Sequence, residues 1–144
     1  MTSYNSVPSL LLAPAPLLQQ QWEAQYSRGR VYGPSVTLFS AVNLLFVAYK
    51  RYDAGGFGEG EGSWQAYVAA ASLTSLAFPY TIVLMKHINE KLVAAGRRLE
   101  KKADTVVAED EGVKALVDRW ATFNFFRSFF PLSGALVSIW AALG

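Results

Sequence analysis

The stretch Asp118-Arg119-Trp120-Ala121-Thr122-Phe123-Asn124-Phe125-Phe126-Arg127 decides how the chain folds, because no further charge follows it up to Gly144. As a helix, it places Trp120, Asn124 and Arg127 on one face, at i, i+4 and i+7. The segment is apolar enough to span a bilayer, where a charged side chain costs about 3 kcal/mol or more. Such an arginine usually faces a partner or a wet cavity. We therefore take a cavity beside Arg127 as the working hypothesis.

The composition favours a membrane protein. The chain has 144 residues, of which 52% are hydrophobic and 17% charged, against about 25% charged in soluble domains. We expect a single domain over residues 1–144. A net charge of +2, with bases not interleaved with aromatics, argues against a nucleic-acid partner. The absence of cysteine excludes thiolate chemistry, and a single histidine, His87, argues against a histidine-held metal.

The distribution of charge predicts three membrane-spanning helices. Residues 31–49, 64–85 and 120–143 contain no charge apart from Arg127. Each is long enough to cross about 30 Å of hydrocarbon as a helix. The predicted fold class is therefore all-α, an integral membrane bundle of three spans surrounded by lipid. Residues 90–118 are charged and carry an apolar periodicity, which predicts amphipathic helices outside the bilayer.

Prolines and glycines mark where helices are expected to begin, end or be interrupted. Pro8, Pro14 and Pro16 break an apolar run near the N-terminus, so residues 1–30 are expected to form an interfacial segment. Its aromatic pair, Trp22 and Tyr26, is typical of a headgroup belt or a core stripe. Gly33-Pro34 suits a helix start. Residues 50–63 are predicted to form a flexible loop, which is marked by the glycine-rich residues 54–62.

Two prolines fall inside predicted spans. Pro79 should interrupt the second span near Phe78-Pro79-Tyr80-Thr81, and Pro131 should open the third span beside Arg127, because proline cannot donate the helical hydrogen bond. Broken helices at membrane depth often line sites.

The loop bases predict the orientation. The segment from Lys86 to Arg119 is rich in lysine and arginine, so the positive-inside rule makes it cytosolic. His87, Asn89, Trp120, Asn124 and Arg127 then lie toward the cytosolic end of the spans. This coincidence favours a site there.

Several motifs together resemble a known family. They are Trp22, Tyr26, Gly29 and Pro34; Phe78-Pro79-Tyr80-Thr81 with Met85 and Asn89-Glu90-Lys91-Leu92; and residues 116–120 with Asn124 and Arg127. In this order and spacing they resemble the small membrane proteins that include the fungal anthrone oxygenases. Relatives usually carry a further transmembrane helix ahead of the segment matching residues 7–21, so that span is expected to be missing here or replaced by the proline-broken run.

The resemblance implies a function and a set of roles. It implies oxidation of an anthrone-type polyketide to an anthraquinone by dioxygen, without metal or flavin, in the endoplasmic reticulum membrane. Arg127 would stabilise the oxyanion, Asn89 and Asn124 would donate hydrogen bonds, and Trp120 and Tyr26 would stack on the substrate. Trp22 and Thr81, which belong to the matching motifs, are expected among the substrate-binding residues.

Alternatives stay open at this stage. The general base is His87 or Asp118, although His87 also suits an interfacial position and Asp118 could pair with an arginine. Arg127 is equally compatible with a purely structural role. A membrane isomerase or cyclase acting on another natural product, or a non-enzymatic scaffold, would share this composition. The sequence leaves the oligomeric state open.

Overall fold

The computed structural model describes residues 9–54, 64–101 and 106–143, and these contain helices and no strand. In chain order the helices are α1 (Ala15–Asp53), α2 (Trp64–Ser75), α3 (Ala77–Tyr80), α4 (Lys86–Lys101), α5 (Val106–Arg127) and α6 (Phe129–Leu143). A π-helical segment, Thr81–Met85, joins α3 to α4. The all-α prediction is confirmed.

Three helical stretches are long and apolar enough to cross a membrane, namely Ala15–Asp53, Trp64–Leu99 and Gly112–Leu143. Each contains one of the predicted spans, so the prediction of three spans is confirmed. Large apolar side chains on α1 are exposed, including Val36 and Phe39 at 62% and 71%. A helix that shows such residues outward suits lipid better than water.

The predicted helix start at Gly33-Pro34 is wrong, because α1 runs without interruption through Pro34. The proline removes one backbone hydrogen bond, to the carbonyl of Arg30. Arg30 is exposed, so water or headgroups can satisfy that carbonyl. One lost bond does not end a helix that extends for many residues on both sides. Much of the predicted N-terminal segment, from Ala15 onward, is thus helical.

The two proline interruptions are confirmed. α2 ends at Ser75, and the amide of Leu76 is shared between the carbonyls of Ser72 and Leu73, at 3.1 and 3.2 Å. The backbone then widens, since the amide of Lys86 donates to the carbonyl of Thr81, five residues back. In the third span, α5 ends at Arg127 and α6 begins at Phe129.

Clustering of contacts divides the chain into two compact units. The first comprises residues up to Val31 together with Tyr80–Phe126, and the second comprises Tyr32–Pro79 and the residues from Arg127 onward. The expectation of a single domain stays a prediction. The loop predicted at 50–63 begins too early, because α1 continues through Lys50 to Asp53. Ala54 forms a turn, and residues 55–63 lie outside the described residues.

The first unit has an apolar core to which α1, the π-helical segment, α4 and α5 all contribute. Its buried members are Ala15, Leu18, Trp22, Met85, Ile88, Leu92, Val113, Val117, Trp120 and Ala121. The buried α4 members Ile88 and Leu92 recur at helical spacing, so the amphipathic character predicted for residues 90–118 is confirmed for α4. Over its full length α5 does not separate apolar from polar residues by face, because it continues into the predicted third span. The location of these helices outside the bilayer stays a prediction.

The second unit packs α2 against α6 through small residues. Gly134 lies against Thr74 and Ala70, so closely that a methyl group on Gly134 would overlap both residues. A buried cluster of Ala48, Ala66, Tyr67 and Ala141 extends this contact. Small residues at the contact let helix backbones approach closely, as is common in membranes.

Candidate functional site

One face of α4 carries both polar and apolar residues at helical spacing. At intervals of three or four positions it carries Lys86, then Asn89 or Glu90, then Val93 or Ala94, and finally Arg97. At 1.5 Å per residue this stripe extends for about 16 Å. A polar group therefore stands at each end of an apolar middle section.

This face forms one wall of a cleft within the first unit. The cleft has a volume of about 640 Å³ and is lined by Tyr26, Thr81, Ile82, Lys86, Asn89, Glu90, Val93, Ala94 and Arg97. That volume falls within the range of about 300–1,000 Å³ typical of small-molecule sites. Two of the lining residues, Thr81 and Ile82, belong to the π-helical segment, a backbone form that is frequent at functional sites.

Tyr26 brings an aromatic ring to the cleft from α1. The ring stacks on Trp22, with centroids 4.9 Å apart and 9° between the planes. Trp22 is fully buried and meets the ring of Trp120 edge-on at 6.0 Å. The buried Trp22 thus fixes the orientation of the Tyr26 ring, which forms a preorganised aromatic wall of the cleft.

Asn89 is the buried polar group of the cleft. The residue is 9% exposed, and its carboxamide oxygen has no hydrogen-bond partner in the described part of the chain. Leaving such an acceptor unpaired costs about 1–3 kcal/mol. Buried polar atoms are nearly always satisfied, so this unpaired oxygen, in a residue that borders a cleft, is a candidate acceptor for a ligand once the side chain turns toward the cleft.

Three charged side chains also line the cleft. The ammonium of Lys86 lies 3.9 Å from a carboxylate oxygen of Glu90, one turn along α4, and the two side chains are 68% and 62% exposed. Arg97 is exposed at the other end of the cleft. Positive groups therefore lie at both ends and a carboxylate lies between them.

The predicted site residues divide into four groups. Tyr26, Thr81 and Asn89 line the cleft. Trp22, Trp120 and Asn124 are buried in the first unit, where Asn124 donates to the carbonyl of Trp120 at 3.2 Å, within its own helix. His87 and Asp118 are exposed and are not among the cleft residues. Arg127 belongs to the second unit, where it is half-buried with a guanidinium nitrogen near Gly33.

Six of the nine cleft residues were not among the predicted site residues, and three of these six are charged: Lys86, Glu90 and Arg97. Glu90 and Arg97 lie in the charged segment 90–118, and Lys86 lies at the basic end of the second predicted span. The spacing of these residues from Asn89 could have identified them, since Lys86, Glu90 and Arg97 fall on its side of a helix. In the described ranges, no group of three or more acidic or histidine side chains is placed to hold a metal ion.

The known proteins that this chain resembles include fungal proteins named as monooxygenases or anthrone oxygenases. A monooxygenase, hypC, from Dothistroma septosporum is 30% identical over 94% of this chain, which spans 64% of that relative. A noranthrone monooxygenase from Aspergillus flavus is 28% identical over 88% of the chain and 57% of its own length. The anthrone oxygenase gedH from Aspergillus terreus is 31% identical over 84% of the chain and 72% of its own length.

The chain thus spans about three fifths of the length of the first two of these relatives. No solved structure matches the chain significantly. The family model for anthrone oxygenases matches residues 22–137, which include every residue that lines the cleft. The chain therefore belongs to the anthrone oxygenase family.

Proposed function

We propose that the protein oxidises an anthrone-type aromatic polyketide to the corresponding anthraquinone with dioxygen, in the cleft of the first unit. One observation carries the proposal. Three residues predicted to bind the substrate, Tyr26, Thr81 and Asn89, come together in a cleft of about 640 Å³ that holds an unpaired buried acceptor. Relatives named as anthrone oxygenases or monooxygenases support this reaction class.

The reaction balances with dioxygen as the only co-substrate. The carbon between the two aromatic rings loses a proton, which leaves a phenolate-like anion. This anion transfers an electron to dioxygen, and the two radicals combine into a peroxide anion on that carbon. Protonation gives a hydroperoxide. Removal of the remaining hydrogen of that carbon as a proton, together with cleavage of the O–O bond, then forms the carbonyl and releases water. One oxygen atom ends in the quinone and the other in water.

We infer that the chain needs no metal or flavin for this reaction, because the substrate anion itself reduces dioxygen. The protein has to bind the flat molecule, remove a proton and stabilise the negative charge. Tyr26, held by Trp22, offers a face on which the rings can stack. The Asn89 oxygen can accept a hydrogen bond from a phenol of the substrate, and Val93 and Ala94 supply apolar contact.

Lys86 and Arg97 provide the positive charge at this cleft. Both are lining residues, and a cation near the developing anion lowers the free energy of the deprotonated state. The oxyanion role predicted for Arg127 is a separate proposal, because Arg127 is not among the lining residues. Quinone formation per folded molecule in an Arg127→Met variant tests it. His87 and Asp118 stay predictions as alternative bases.

The setting of the reaction is part of the proposal. Three apolar helices support a membrane location, and we infer that lipid surrounds them. Placement in the endoplasmic reticulum, with Lys86–Arg119 on the cytosolic side, stays an expectation from the charge distribution. A membrane location would suit a poorly soluble aromatic substrate.

The test uses membranes that contain the full chain, incubated with an anthrone. We expect quinone absorbance to rise faster than in matched membranes lacking the protein, with one dioxygen consumed per quinone. Isotopically labelled dioxygen should place one labelled oxygen in the product. Chelators should not slow the reaction, and added flavin should not speed it.

The same experiment separates the alternatives. A product with unchanged atomic composition would indicate an isomerase or cyclase. No acceleration over the control membranes, with the protein shown to be folded, would overturn the proposal in favour of a scaffold.

A further inference from the structure

We propose that Glu90 is the general base that removes the proton from the carbon between the rings of the bound anthrone. This inference rests on the function proposed above and names a catalytic group for it. The starting observation is the position of Glu90. Among the described residues that line the cleft, it is the one carboxylate.

The neighbouring residue explains how substrate and base meet. Asn89 and Glu90 follow each other on α4, so their side chains diverge by about 100° around the helix axis. Both line the cleft, but Asn89 is 9% exposed whereas the Glu90 side chain is 62% exposed. Because both residues line one cleft, a flat molecule that fills it would contact the outer carboxylate as well as Asn89.

The charged and titratable groups around Glu90 suit a base that returns its proton quickly. Lys86, one turn earlier on α4, lies 3.9 Å from the carboxylate and helps to keep it at the cleft. Arg97 on the same helix and Tyr26 from α1 are the other such groups among the described lining residues. Because the Glu90 carboxylate is largely exposed, water can exchange its proton whenever no peroxide anion is present to accept it.

The proton-transfer step is simple to balance. A Glu90 oxygen takes one proton from the methylene carbon, and the electron pair of the broken C–H bond passes into the rings and onto the carbonyl oxygen. The carboxylic acid formed can then protonate the peroxide anion that arises after dioxygen adds to the same carbon. Glu90, a carboxylate again, then takes the remaining proton from that carbon as the O–O bond breaks, so that the C–H electron pair forms the carbonyl and hydroxide leaves. The hydroxide takes this proton and becomes water, which returns Glu90 to its starting form.

The bases predicted from the sequence are less well placed. A general base must reach its proton within about 3 Å or through one water. His87 and Asp118 are exposed, and neither is a lining residue of the cleft. On α4, His87 is two positions from Asn89, so it points to nearly the opposite side of the helix.

The first test compares Glu90→Gln with Glu23→Gln, using the full chain in membranes. Glu23 is a matched control, because it is an exposed glutamate of the first unit that does not line the cleft. We expect Glu90→Gln to lower kcat about a hundredfold or more, with wild-type activity in Glu23→Gln.

The second test isolates proton removal from the oxygen chemistry. Under argon, the wild type should accelerate exchange of the methylene hydrogens of an anthrone with heavy water, and Glu90→Gln should not. A Glu90→Ala variant should regain turnover when formate is added, since the position is open enough for a small carboxylate to enter.

The outcomes distinguish the two proposals. If the wild type forms quinone and Glu90→Gln does so at an equal rate, Glu90 is not the base and the proposed function still stands. The same conclusion holds if Glu90→Gln is active and either Asp118→Asn or His87→Gln is not. If the folded wild type forms no quinone and catalyses no exchange, the proposed function itself fails.

Discussion

The ring of Trp22 lies parallel to that of Tyr26, with centroids 4.9 Å apart. Trp22 is fully buried, whereas Tyr26 is half-buried and lines the cleft. Through this pair the packing of the core determines the position of an aromatic wall in the proposed site. A change in the core should therefore be measurable in substrate binding.

The first prediction concerns Trp22. Replacing it with alanine should destabilise the protein by about 3–5 kcal/mol, because it leaves a cavity beside Trp120 and removes the ring behind Tyr26. Trp22→Phe should cost less, since a ring remains and the indole N–H, which has no hydrogen-bond partner in the described residues, is removed. Thermal unfolding in detergent measures both.

The Trp22→Phe variant also tests whether core packing affects substrate binding in the cleft. In the Trp22→Phe variant KM should rise while kcat changes little, because a loosened Tyr26 weakens binding and leaves the chemistry intact. An unchanged KM in a variant with measurably lower stability would contradict the coupling.

Much of the fold could be predicted from where charges are absent. The three uncharged stretches each fall within one of the long apolar helices, and Pro79 and Pro131 lie at the interruptions. The start of α1 could not be predicted, because the cost of Pro34 depends on whether the freed carbonyl of Arg30 finds another partner. That partner is decided by the surroundings, and the local sequence does not specify them.

The site could be predicted only in part, for a similar reason. Tyr26, Thr81 and Asn89 were identified through the resemblance, and they line the cleft. Glu90 was not, because a charge on an amphipathic helix is usually only solvated. Whether such a charge also faces a cleft depends on what packs beside the helix, here the π-helical segment and α1. Arg127 is the one charge in an apolar span, which predicts that it has a partner or a cavity beside it, but the sequence does not say which residues those are.

The second prediction is that Asn89→Leu stabilises the protein while weakening function. The substitution removes a buried acceptor that has no partner in the described structure, so we expect a gain of about 1 kcal/mol in unfolding free energy. It also removes the proposed bond to the substrate, so kcat/KM should fall about tenfold. Thermal unfolding and quinone formation measure the two effects.

Asn43→Leu is the matched control for this substitution. Asn43 is exposed in the second unit and donates to the carbonyl of Phe39 within its own helix. The Asn43→Leu substitution should leave kcat/KM unchanged. A loss of stability in Asn89→Leu would show that the carboxamide is satisfied within the protein, and the argument for a ligand at that atom would fail.

The third prediction contrasts two glycines. Gly134→Ala should destabilise the second unit by about 1–3 kcal/mol, because the added methyl group would meet the Thr74 hydroxyl and lie 2.7 Å from the carbonyl of Ala70. Gly29→Ala should stabilise α1 by about 0.5–1 kcal/mol, since nothing lies within 4 Å of the added carbon and alanine favours helix. Equal effects of the two substitutions would contradict the packing of α2 against α6.

The fourth prediction concerns Arg97, which lies at one of the two positive ends of the cleft. Arg97→Met should lower kcat/KM about two- to fivefold, as expected when a largely exposed charge stops stabilising an anion. The loss should shrink as salt is raised, because ions screen exposed charges over about 10 Å at 0.1 M. Initial rates of quinone formation at several ionic strengths measure both effects.

Arg98→Met distinguishes a local contact from a general field. Arg98 is the next residue on α4, is exposed, and is not a lining residue of the cleft. It carries the same charge and lies about 100° around the helix axis from Arg97. If Arg97 acts on the bound anion, Arg98→Met should change kcat/KM by less than Arg97→Met at every salt concentration. Equal losses in the two variants would mean that net charge near the membrane surface, and no group in the cleft, sets the rate.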